Sequence, residues 1–160
     1  MKPNYKKISN TYPSTETKKE LFKLLGNNWD PLVNNEQYDN TCAIRISYAF
    51  NLMGIPVPEY LGREDGYHKD SNGKNIMIKV LTAEKFLKSI YGDTNWGMSK
   101  KVGSVFEFSE IPNQTGILIY KAEFTNADGH VDVWNGNKCS YHCPALDVSD
   151  AFDIGLWYIN

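Results

Sequence analysis

A cysteine and a histidine together can open an amide: the thiolate attacks the carbonyl carbon, while the imidazole takes up the thiol proton and returns it to the leaving amine. Cys42 and His130 are the pair whose surroundings suit that chemistry. Cys42 stands in the stretch Asn40 to Gly54, which reads as a helix. Asn40 is expected as its N-cap, because its side-chain oxygen can accept an unpaired amide proton, and Gly54 as its left-handed stop. Cys42 then falls at the second helical position, where the helix dipole favours thiolate over thiol and nearby amides can hold an anion. The competing reading is a small buried hydrophobe. Ile46, Ala49, Phe50 and Met53 follow at helical spacing and turn Cys42 toward the core.

His130 begins the alternating run His130-Val131-Asp132-Val133-Trp134, just after an expected turn at Asp128-Gly129. A helix packed on that strand's sheet could present Cys42 to it; otherwise His130 merely ends a strand. His68 lies in a polar excursion with no comparable placement. A third group should orient the imidazole. Asp132 projects to the same face as His130, although neighbours along one strand meet less well than groups on adjacent strands. Tyr141 and His142, on the returning arm after the Asn135-Gly136 hairpin signal, could approach instead, and Asp132 would then be a solvent-facing carboxylate. Cys139-Ser140-Tyr141-His142-Cys143 offers a short-loop disulfide or, with His142, part of a zinc site. Zinc asks for a fourth ligand and a two-residue spacing that are not evident, so a Cys139–Cys143 disulfide and an oxidising workplace are expected.

The elements that must position these residues follow from the rest of the chain. Its 160 residues are 41% hydrophobic and 13% aromatic, which supports a single domain spanning 1–160. A formal net charge of -2 with scattered basic residues excludes an obvious nucleic-acid binder, and no run is long enough to span a bilayer. From the polar start, Met1 to Asn10, no classical secretion signal is expected. Pro13-Ser14-Thr15 is expected to open a helix with Leu21, Leu24 and Leu25 on one face, ended by Gly26. A proline-containing connection, Ile55-Pro56-Val57-Pro58, leads to a polar excursion from Glu59 to Asn75, in which Asp70 to Lys74 is a turn rather than a calcium loop.

Ile76, Ile78 and Val80 alternate as a short strand. A helix to Tyr91 should follow, capped by Thr82, stapled by Leu81 onto Phe86, and carrying a Glu84–Lys88 pair. Gly116 to Ala122 reads as a central strand buried on both faces, and Gly155 to Ile159 as the last. Helices first and strands afterwards argue α+β with a small antiparallel sheet.

Asn40-Thr41-Cys42-Ala43-Ile44-Arg45-Ile46-Ser47-Tyr48, the following Gly54-Ile55-Pro56, the run Gly129 to Gly136 with Cys139 and Cys143 behind it, and the terminal Gly155-Leu156-Trp157 together resemble the type VI secretion amidase effectors, fourth family. The similarity extends over most of the chain from Asn40 onward. It implies a papain-like, NlpC-type fold and a cysteine peptidoglycan amidase that cuts stem peptides between D-glutamate and meso-diaminopimelate. It also implies injection by the type VI machinery into a rival's periplasm, a cognate immunity protein as partner, and no metal or organic cofactor.

Carried over by position, Cys42 is the nucleophile, His130 the general base, and Cys139 and Cys143 the family's disulfide. Backbone amides at the helix start, including that of Cys42, would stabilise the oxyanion. The departure is at the third member. The family pattern has aspartate between the paired cysteines, where this chain has Tyr141, and often threonine at the position of Asp132. Asp132 is taken as the orienting carboxylate.

Overall fold

Aliphatic side chains on both faces of one strand require a layer on each side of the sheet, and that demand organises the molecule. The computed structural model describes residues 2–122, 129–143 and 152–160. Five α-helices, α1 (Tyr5–Thr11), α2 (Lys18–Leu25), α3 (Cys42–Leu52), α4 (Glu59–Glu64) and α5 (Val80–Tyr91), precede four strands, β1 (Trp96–Lys100), β2 (Thr115–Ala122), β3 (His130–Asn135) and β4 (Phe152–Tyr158), among the described residues. The strands form an antiparallel sheet in the order β1-β4-β2-β3, so β2 is interior and β3 lies at an edge. The α+β expectation holds, with the helices leading.

Ile117 and Ile119 of β2, Val131 and Val133 of β3 and Trp157 of β4 pack against Cys42, Ile46, Ala49 and Phe50 of α3 and Phe86 and Leu87 of α5. On the opposite face Leu118, Tyr120, Trp134, Phe152 and Leu156 meet Phe106, Phe108 and Ile111 from the connection between β1 and β2. A smaller cluster of Leu21, Phe22, Leu25, Trp29 and Ile44 seats α2 on the outer side of α3. Helix α3, which bears Cys42, is therefore clamped between two apolar layers.

Several local expectations are corrected. Helix α2 starts at Lys18, not near Pro13, because Thr17 and Glu20 form a reciprocal capping box with both bonds at 3.2 Å. Its inner face uses Phe22, while Leu24 is exposed. Ile76 to Val80 forms no strand. The Asp65 carboxylate accepts the amides of Ile78 at 2.6 Å and Lys79 at 3.0 Å, so α5 begins at Val80 with a cap supplied from across the chain. Thr82 is not that cap; its hydroxyl donates to Asp65 at 2.6 Å. Leu81 is exposed and staples nothing, whereas the Glu84–Lys88 pair forms at 3.3 Å.

Helix α4 lies inside the stretch read as a polar excursion, opening after Pro58. Helix α1, capped by the Asn4 side chain, stands in the basic start, and β4 begins at Phe152 rather than Gly155. Asp70 to Lys74 is the expected turn, closed by Asp70 Oδ1 on the amides of Asn72 and Lys74 at 2.9 Å each.

Gly129 immediately before β3 has φ 126°, and a Cβ there would run into the Tyr120 carbonyl oxygen. Asp128 of the expected turn lies outside the described residues. A Gly129→Ala substitution combines a disfavoured backbone conformation with a collision on rigid backbone. It is expected to lower unfolding free energy by ~2 kcal/mol or more, measured by urea titration, and to displace His130 with it.

Candidate active site

Asn40 joins the two halves of the site. Its Oδ1 accepts the Cys42 amide at 3.3 Å, and its Nδ2 donates to the Gly129 carbonyl at 3.1 Å, one residue before His130. The helix itself begins at Cys42, with Thr41 rather than Asn40 at the capping position, so the cysteine is the first helical residue and not the second. Asn40 thus holds a helix start against a strand start, a double role that its identity as a turn and cap former only half announced. The Cys42 amide is engaged by Asn40, which differs from the free oxyanion donor expected above.

Cys42 is the one free cysteine among the described residues, and it is buried. His130 lies near it, and the Cys42 side chain is among the groups that favour the protonated imidazole. The His130 Nε2 lies 3.1 Å from Asp132 Oδ2, which leaves Nδ1 for the thiol. Helix α3 packs on β3, so the pairing follows from the layer contact foreseen for helix and sheet.

Asp132 is fully buried and reaches back along its own strand. What holds it there is one amide of its own strand and two of the loop beyond: Oδ1 accepts the amides of Val133 at 2.8 Å and Tyr141 at 3.1 Å, and Oδ2 accepts the amide of His142 at 3.0 Å beside the His130 bond. Tyr141 and His142, the rival orienting residues, therefore serve Asp132 through their backbones. The Cys139–Cys143 disulfide ties off this loop, with a Cα separation of 5.7 Å. An Asp132 oxygen, a His130 ring nitrogen and the Cys143 sulfur lie within 4.8 Å of one another. The sulfur is bonded to Cys139 and the other two groups to each other, so the cluster is an ion pair backed by a disulfide rather than an open set of ligands. A groove of about 240 Å³, lined by Phe108, Trp134, Lys138, Tyr141 and His142 among others, adjoins the loop.

Burial by itself would lower the basicity of His130, but its hydrogen bonds to Asp132 and Cys42, with the negative charge of both, outweigh that and raise its pKa to about 9. At neutral pH it is imidazolium. Tyr12, from the segment before α2, sets its buried hydroxyl in the same neighbourhood and is kept protonated by burial and then by Asp132 and Cys42. Sequence reasoning passed over Tyr12 because nothing local marks it.

The histidine also links pH to stability. Its folded pKa lies above the unfolded value near ~6.5, so its stabilising contribution is complete below about pH 6.5 and is lost as pH climbs through about 9. Urea unfolding of the protein and of His130→Gln is expected to show their stability difference shrinking by about 1 to 3 kcal/mol across that window.

A helix-borne cysteine facing a histidine at the start of a sheet strand, with a carboxylate behind the imidazole, is the papain-like arrangement of the NlpC/P60 type. Residues 38–157 match the family described as type VI secretion system (T6SS), amidase effector protein 4, and the chain belongs to that family of amidase effectors. Among solved structures it is similar to the type VI effector Tae4 from Enterobacter cloacae, at 27% identity and a TM-score of 0.81 over 100% of this chain and 98% of that one. The same effector in a Tae4–Tai4 effector–immunity complex from Enterobacter cloacae matches at 26% identity and TM-score 0.81, covering 100% of each chain. The Salmonella Typhimurium Tae4–Tai4 complex shares the fold, with TM-score 0.78 at 22% identity and 100% coverage of each chain. Among curated protein sequences, none matches significantly. No described helix is long and apolar enough to cross a membrane.

Proposed function

We propose that residues 1–160 act as one cysteine amidase domain that hydrolyses the D-glutamyl to meso-diaminopimelate bond of peptidoglycan stem peptides. The observation that carries this reading is the chain of contacts Cys42–His130–Asp132 in a member of an amidase effector family. Cys42 Sγ, as thiolate, attacks the amide carbonyl carbon. The imidazolium of His130 then gives its proton to the leaving amine nitrogen, the C–N bond breaks, and a thioester remains. Water attacks the thioester carbonyl, neutral His130 takes its proton, and departure of the thiolate frees the acid and restores the pair. Asp132 keeps Nε2 protonated and the ring fixed, so that Nδ1 addresses the sulfur throughout.

Delivery by the type VI machinery into a target cell's periplasm suits a fold that joins an oxidised cysteine pair to a free nucleophile. A cognate immunity protein of the Tai4 kind is the expected partner, on the strength of the Enterobacter cloacae complex.

The test is digestion of purified meso-diaminopimelate-type peptidoglycan, with fragments identified by mass spectrometry. The reading expects muropeptides whose stems end at D-glutamate and released peptides that begin with diaminopimelate. Cuts confined to any other amide would refute the assigned bond, and an uncut wall would refute the amidase reading.

A further inference from the structure

Arg45 carries a charge that the chemistry above does not use. It stands one turn beyond Cys42 on α3, as an i, i+3 neighbour, and is fully buried. Its nitrogens all donate: Nε to Thr41 Oγ1 at 2.9 Å, Nη1 to the Pro13 carbonyl at 2.6 Å and Nη2 to the Glu16 carbonyl at 2.7 Å. The guanidinium carbon lies 3.6 Å from the centre of the Tyr141 ring, which covers it against solvent. Each of these partners is neutral.

Burying a cation among neutral acceptors forfeits its hydration, and an aliphatic side chain would fill a helix interior without that loss. Negative charge close by is the compensation to look for. Arg45 stands one turn from Cys42, its guanidinium stacks on Tyr141, whose amide donates to Asp132, and the buried Tyr12 hydroxyl feels the charges of Asp132, Cys42 and Arg45 together.

We propose that Arg45 is a positioning residue that balances the charge of the buried site. With Cys42 as thiolate and His130 as imidazolium, the Asp132 carboxylate leaves one uncompensated negative charge among these three groups, and Arg45 supplies the opposing positive charge. The same side chain fixes the geometry from two directions. Its bonds to Pro13 and Glu16 hold the segment that carries Tyr12, and its stacking steadies Tyr141, whose amide donates to Asp132. Removing the charge therefore destabilises the thiolate relative to the thiol.

The titratable groups around this cluster are Tyr12 and Glu16 from the segment before α2, Tyr120 from β2, His130 and Asp132 from β3, and Tyr141 and His142 from the disulfide loop. Tyr12 and Tyr120 are held protonated by burial and by the negative charge of Cys42 and Asp132, so neither competes for the transition being read.

The inference rests on the cysteine reading above, and its test is independent of wall cleavage. Thiolate formation at Cys42 is followed by ultraviolet absorbance against pH, each variant being referenced to the same variant with Cys42→Ala and checked for folding by circular dichroism. Arg45→Met is expected to move the midpoint up by about one pH unit, and Arg45→Lys, which keeps the charge, by less than half as much. Tyr141→Ala, which opens the guanidinium to water, should shift it in the same direction by a smaller amount, while Tyr141→Phe keeps the stacked ring and the midpoint.

A folded Arg45→Met variant with an unchanged midpoint would overturn the proposal, as would equal shifts for Met and Lys. If neither Arg45 variant folds, an unmoved midpoint in Tyr141→Ala overturns it. A shifted midpoint in a protein that leaves peptidoglycan uncut would retain the electrostatic role and remove the proposed activity.

Discussion

Replacement of Cys42 by alanine is expected to lower kcat/KM for stem-peptide hydrolysis by on the order of 10⁴-fold or more, and His130→Ala by a similar factor. The two effects should not add. Without the thiolate there is no covalent step for the histidine to assist, and without the imidazole the thiol is neither deprotonated nor followed by protonation of the leaving amine. The double variant should therefore resemble either single one, which separates a joint mechanism from two independent losses. Both side chains are buried, so the substitutions also leave cavities. Removing a small sulfhydryl costs ~1 kcal/mol, and melting curves of Cys42→Ala should stay close to those of the intact protein. An uncut substrate from a folded Cys42→Ala variant then reports chemistry alone. A residual rate within tenfold of the intact protein would assign the nucleophile elsewhere.

Asp132 should give the second largest effect, and of a different kind. It accepts from three backbone amides and one imidazole while fully buried. Asp132→Asn keeps the shape but turns an NH₂ group toward donors, so it should cost about 10² to 10⁴-fold in kcat/KM. The accompanying change in pH dependence is the sharper sign. The hydrogen bond to Asp132 is the foremost contribution raising the His130 pKa to about 9, so its loss lets burial pull that value back down. The alkaline limb of the kcat/KM profile should then fall at lower pH than in the intact protein. Asp132→Ala would in addition strand the amides of Val133, Tyr141 and His142, with an expected loss of about 3 to 5 kcal/mol in unfolding free energy. An unchanged alkaline limb in Asp132→Asn would show that the carboxylate does not govern the histidine.

The route from residue types to this site was partly open in the chain. Periodicity marked α3 and its core face, and alternation from His130 to Trp134 marked β3, because both patterns record which side of an element meets the core. Strict i, i+2 spacing put His130 and Asp132 on one face, yet could not say whether they touch. That contact depends on amides from Tyr141 and His142 drawing the carboxylate back along its strand, and the loop that supplies them is placed by a disulfide and the hairpin behind it.

Where local signals failed, the physical reason was a partner far along the chain. Asp65 caps α5 from another segment, so the alternation of Ile76, Ile78 and Val80 reads as a strand although it ends in a helix start. Arg45 shows the same limit from the other side. Nothing in the sequence reading singled it out, because its acceptors at Pro13 and Glu16 and the Tyr141 ring come together only in three dimensions.

By itself, then, the sequence determined the chemistry available, a cysteine at a helix start and a histidine at a strand start, together with the α+β order of the elements around them. Tertiary structure alone decided that Asp132 reaches the imidazole, that Asn40 couples helix to strand, and that a buried cation stands one turn from Cys42. Hydrogen-bond acceptors and charges act over a few ångströms whatever their separation along the chain, and periodic patterns carry no record of them.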